Sequence, residues 1–205
     1  MWLARKQRKD NYNFPWLDSL VAKMCARPDV DCGKGILVGG HSQGAGLAMM
    51  AKNYEARVRA AYAMGANCAY LFNQVDGLCD PAGAASDTNC LVDSETDLPS
   101  DRLRIVNGEA DDYGSPTQYE RISGKSCPSG KLDCLAPNGS GWYLVANTAV
   151  QDGKAEHCYI VNSTDGAWCP GIDATHPFDV GWIPPATLPW SLTTNLNWLA
   201  GFADP

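Results

Sequence analysis

Ser42 stands at the centre of Gly40-His41-Ser42-Gln43-Gly44, a G-x-S-x-G pattern. A serine hydroxyl is a poor nucleophile until a base takes its proton. Imidazole, which titrates near neutrality, suits that task. The chain has three histidines, so the candidates can be exhausted. His41 adjoins the serine within the same turn, which points its side chain away from the hydroxyl and gives it a packing or supporting role. His176 lies in Thr175-His176-Pro177, within a late loop. His157 follows the last expected strand, at the sheet edge where the serine emerges, and is the favoured base. A base of this kind needs a carboxylate to fix its tautomer and to stabilise the imidazolium. The turn after Asn107-Gly108 offers Glu109, Asp111 and Asp112.

The elements that must position these groups can be read from the apolar pattern. Ile36 to Val38 predicts a buried strand that breaks at Gly39-Gly40. A helix rich in Ala and Met follows from Gln43 to about Tyr54. A strand turning directly into a helix holds the intervening serine in a strained conformation, with its hydroxyl at the tip. Gly40 and Gly44, two residues either side of Ser42, are expected to meet neighbouring backbone that leaves no room for a Cβ. Ala45, Gly46 and Ala48 are small enough for the helix to pack closely on a sheet. Upstream, Leu17, Leu20, Val21 and Met24 repeat at helical spacing between Pro15 and Ala26. Downstream, strands are expected at 58–64, 103–108 and 142–146, with a helix opening near Ser115. A closing helix from Trp190 to Phe202 carries Leu192, Leu196, Leu199 and Phe202. Residues 68–100, 121–140 and 163–187 read as loops. Helix-then-strand order of this kind requires a mostly parallel sheet with flanking helices, an α/β fold.

The stretch around Ser42 resembles the nucleophile elbow of the α/β-hydrolase superfamily, and its Gly-His-Ser-Gln-Gly form is similar to that of the esterases and lipases. The resemblance covers residues 35–200 and implies the chain order Ser…Asp…His. Asn107-Gly108-Glu109-Ala110-Asp111 resembles the family's acid turn, which gives that role to Asp111, with Asp112 as runner-up. The residue after the nucleophile, Gln43, would supply a backbone N–H to the oxyanion. A second donor is expected from a glycine-rich loop after an earlier strand, but residues 1–32 contain no glycine. The implied reaction is hydrolysis of a carboxylic ester through an acyl-enzyme, with no cofactor and no metal. The substrate would be a small-molecule or polymeric ester. Its rivals are a peptidase or polyester depolymerase on the same fold, and a disulfide-tied binding domain without turnover.

A chain of 205 residues, 45% hydrophobic and 19% charged, is expected to form one domain with a substantial core. A net charge of −7 argues against a nucleic-acid partner, and no run of about 18 apolar residues predicts a membrane span. Nine cysteines is a high count. Cys25/Cys32, Cys79/Cys90, Cys127/Cys134 and Cys158/Cys169 stand as four local pairs, leaving Cys68. No spacing is C-x-x-C, which disfavours zinc, whereas disulfide-tied loops and a secreted or periplasmic location follow readily. Spacing alone leaves the connectivity open. Asn138-Gly-Ser140 and Asn162-Ser-Thr164 fit the glycosylation acceptor pattern. The absence of an apolar leader after Met1, together with an elbow so early in the chain, makes residues 1–205 read as the C-terminal portion of a longer hydrolase. On that reading Cys68 has lost its partner; a mature, shortened fold is the competing reading.

Overall fold

Short strands that are apolar on both faces need cover on both faces. The computed structural model describes residues 15–53, 55–66, 96–151, 153–157, 182 and 187–203, and these form such an arrangement. Helix α1 (Pro15–Cys25) leads to strand β1 (Ile36–His41), which turns at once into α2 (Gln43–Met50). Strands β2 (Val58–Met64) and β3 (Leu103–Gly108), helix α3 (Pro116–Ser123), strands β4 (Asp133–Leu135) and β5 (Gly141–Val145), and helix α4 (Leu192–Ala200) follow. The sheet order is β1-β2-β3-β5-β4, parallel throughout except for the antiparallel edge strand β4. No helix among the described residues is long and apolar enough to cross a membrane.

Side chains alternate between two cores, as the strand period of two requires. Val58, Ala61, Ala63, Leu103, Ile105, Trp142 and Leu144 pack with Met49 and Met50 of α2 and Tyr119 and Ile122 of α3. Ala60, Tyr62, Val106 and Val145 pack on the other face with Trp190 and with Leu199 of α4. Ala60, Ala61 and Ala63 of β2 are wholly buried beside Tyr62, so the strand sets three small side chains and one large ring between the layers that cover it. Arg104 shares the α4 face, nearly buried. Its guanidinium donates to Gly139 O (2.6 Å) and Asn195 Oδ1 (3.0 Å) and lies 4.5 Å above the Trp198 ring. Burial pulls its pKa down to about 10.

Among the described residues the elements lie where the apolar pattern puts them, with local differences; most of the expected loops 68–100 and 163–187 lies outside those residues. Strand β1 runs through Gly39-Gly40 to His41 instead of stopping at Val38, because each of these residues keeps its register with β2. Helix α2 ends at Met50 and tightens into a 3-10 turn over Ala51–Asn53. Within the expected loop 121–140, Asp133–Leu135 forms β4 against Gly141–Tyr143. Helix α3 starts on a capping box, with Ser115 Oγ accepting from Gln118 N and the Gln118 side chain accepting from Ser115 N. Two of the local cysteine pairs, Cys25–Cys32 and Cys127–Cys134, are disulfides. Cys68, Cys79, Cys90, Cys158 and Cys169 lie outside the described residues.

Candidate active site

Ser42 is the one non-glycine with positive φ among the described residues, at φ 55° and ψ −118°. Holding a side chain there costs about 1–3 kcal/mol, so the surrounding bonds must impose it. Ser42 N donates to Met64 O across the sheet (2.9 Å), and Ser42 O accepts from Ala45 N (3.0 Å) and Gly46 N (3.3 Å) of α2. Gly40 makes the bend possible, since a Cβ there would sit 2.2 Å from Gly44 O. Gly44 does not share that constraint: a Cβ built on it meets nothing within 4 Å. The expectation that both flanking glycines are sterically required therefore holds for Gly40 and fails for Gly44, which faces open space. Gln43 opens α2, so its amide precedes the first intrahelical bonds at the positive end of the helix.

Strands β1, β3 and β5 run parallel, so residues following their C-terminal ends gather at one edge of the sheet. Ser42 follows β1, Asp111 follows β3 and His157 comes after β5. Asp111 is buried, and its carboxylate meets three donors. Oδ2 accepts from His157 Nδ1 (2.9 Å) and Asn107 Nδ2 (3.0 Å), and Oδ1 accepts from Tyr113 N (3.0 Å). With Nδ1 donating to Asp111, the proton of a neutral His157 is committed to that side, and Nε2 is the basic nitrogen. Asp112, the runner-up acid, is exposed, and Glu109 is exposed with Oε2 accepting from Asn147 N (2.8 Å). His176 lies outside the described residues.

The turn bearing Asp111 and the loop bearing His157 are locked together by main-chain bonds. Glu109 N donates to Val145 O and Ala110 N to Ala155 O, each at 2.9 Å. Gly108 permits that approach, because a Cβ there would fall 1.9 Å from Ala155 O. Asn147 Oδ1 accepts from Ala155 N (2.8 Å), which anchors the same loop to the turn that follows β5.

Three contributors escaped the sequence reading. Asn107, fully buried, accepts from Ala66 N (2.9 Å) through Oδ1 while Nδ2 holds Asp111, so it joins the end of β2 to the acid turn. Its signal was an amide inside an otherwise apolar strand end, since a buried amide must find partners. Gly65, at φ +54°, follows β2, and a Cβ there would meet the rings of both His41 and His157. Tyr113, exposed, sets its ring edge-on to His157 with centroids 4.7 Å apart. His41 Nε2 lies 2.9 Å from His157 O, and the two rings are 4.8 Å apart. Burial lowers the pKa of His41 below the ordinary histidine value, an effect partly opposed by its bond to the His157 carbonyl.

At one sheet edge the arrangement places the strained serine turn that ends β1 and an imidazole bonded through Nδ1 to a buried carboxylate. Comparison with known proteins finds no matching family model, no similar curated protein and no matching solved structure.

Proposed function

We propose that the chain is a serine hydrolase of carboxylic esters, related in fold and mechanism to the α/β-hydrolases. The observation that carries this reading is the 2.9 Å bond from His157 Nδ1 to buried Asp111 Oδ2, at the sheet edge where Ser42, at φ 55°, ends β1. A bonded acid–imidazole pair and a strained serine, drawn from strand ends far apart in sequence, are the components acyl transfer needs. His157 Nε2 takes the Ser42 proton as Oγ attacks the ester carbonyl, while Asp111 stabilises the imidazolium. The carbonyl oxygen becomes an oxyanion facing the Gln43 N–H at the start of α2. Collapse breaks the C–O bond, and His157 returns the proton to the departing alcohol. Water, deprotonated by His157, then attacks the acyl-serine, and Ser42 recovers its proton as the acid leaves.

The ester preference rests on the Gly-His-Ser-Gln-Gly form of the elbow. The two disulfides support an oxidising compartment, so the protein is read as secreted or periplasmic. A fluorophosphonate probe tests the assignment. Covalent labelling of the native protein, lost in Ser42→Ala and in His157→Ala, is the expected result. Folded native protein that takes no label and cleaves no activated ester refutes catalysis and leaves a binding domain.

A further inference from the structure

The mechanism above leaves His41 unused, although its imidazole is packed into the same corner. Strand β1 carries the nucleophile and β5 precedes the base, and β2 and β3 lie between them in the sheet. Through the sheet, the Ser42-to-His157 spacing therefore depends on three successive strand pairings and their accumulated twist. Catalytic groups need placement within about 0.5 Å. One bond bypasses that route: His41 Nε2 to His157 O, 2.9 Å, across 116 positions of sequence. A carbonyl oxygen only accepts, so Nε2 carries a proton and donates. Burial, which disfavours the charged ring, makes the Nε2–H tautomer of neutral His41 the resting form. The corner is also shaped for the contact. A Cβ on Gly65 would lie 2.9 Å from His41 Nε2 and 3.2 Å from His157 Cε1, so any other residue there would crowd both rings.

We propose that His41 is a positioning residue that ties the base's loop directly to the nucleophile's strand through the His157 carbonyl. Its kinetic consequence rests on the hydrolase reading; its structural consequence does not. Three substitutions separate hydrogen bonding from simple packing. H41Q keeps a donor at the position of Nε2, H41F keeps a ring without a donor, and H41N keeps polarity but is too short to reach. The last carries the test if H41F does not fold.

Two readouts are used: ester kinetics, and solvent exchange of the His157 Nδ1 proton followed by NMR of ¹⁵N-histidine-labelled protein. H41F and H41N are expected to lower kcat about 10²-fold with KM within about twofold. They should also speed Nδ1 proton exchange about tenfold. H41Q should restore both values to near native. Native exchange in H41F and H41N, or native kcat in either, overturns the proposal. If exchange responds as expected while the native protein neither takes phosphonate nor cleaves ester, the anchor stands and the hydrolase reading alone falls.

Discussion

At the scale of single residues, the site depends on groups whose polar atoms are spent on one another. Asp111 is the clearest case. Asp111→Asn keeps the shape but presents an amide that can donate toward His157 Nδ1, favouring the wrong tautomer. A loss of about 10⁴-fold in kcat is expected, with the fold intact by circular dichroism. Asn107 should act mainly on stability. Asn107→Leu strands the buried Ala66 N–H and removes a donor from Asp111, costing about 1–3 kcal/mol, readable in urea unfolding. His41 supplies a pH signature. Its folded pKa is depressed, so below about pH 6.5 the unfolded chain binds a proton that the folded chain refuses. Stability is therefore full above that pH and is lost as pH falls toward the depressed value. Urea midpoints measured from pH 7 to pH 5 should show this loss in the native protein and a flatter curve in His41→Gln. The strained turn at Ser42 and the pairing of Asp111 with His157 were legible because a glycine-flanked serine, an acid turn and a histidine each follow an apolar strand. Asn107 was not, because its role lies in bonds to Ala66 and Asp111 that only the folded chain creates.

At the scale of elements, the turn from β1 into α2 separates two glycines that look equivalent in the motif. A Cβ at Gly40 strikes the main chain of Gly44, which cannot retreat without unwinding the first turn of α2. Gly40→Ala is expected to abolish phosphonate labelling or prevent folding. Gly44→Ala should instead raise stability by about 0.5 kcal/mol, since alanine narrows the unfolded ensemble and meets nothing in the helix. Matching losses of thermal stability in the two variants would contradict this account. Strands and helices were largely readable because the same residues satisfy both local period and burial: Leu103, Ile105, Trp142 and Leu144 alternate as a covered strand must. Strand β4 was not readable, because three residues carry no period and its pairing with Gly141–Tyr143 is a tertiary event. Strand β1 was underestimated for a related reason: Gly39 and Gly40 have weak strand preference, and the ladder to Tyr62 and Ala63 holds them extended.

At the scale of the whole molecule, the described cross-links and the proposed chemistry occupy opposite ends of the sheet. Cys25–Cys32 closes the turn ahead of Ile36, where β1 begins, and Cys134 pairs with Trp142 near the start of β5. Ser42, Asp111 and His157 all follow strand C-terminal ends. The paired strands and the two cores that cover them lie between, so both disulfides should act on the unfolded chain and leave the placement of the site alone. A loop of this size, with partners seven positions apart, constrains the unfolded state by about 2–3 kcal/mol. Paired serine replacement, Cys25→Ser with Cys32→Ser or Cys127→Ser with Cys134→Ser, is thus expected to lower Tm by about 5–10 °C in a domain of this length. At 20 °C, well below either transition, labelling rate and kcat/KM should stay within about twofold, because no displaced atom touches the acid turn or the His157 loop. If a folded pair variant loses turnover there, strain travels from the strand starts to the strand ends. The sheet would then be a softer frame than its buried alanines and paired ladders imply.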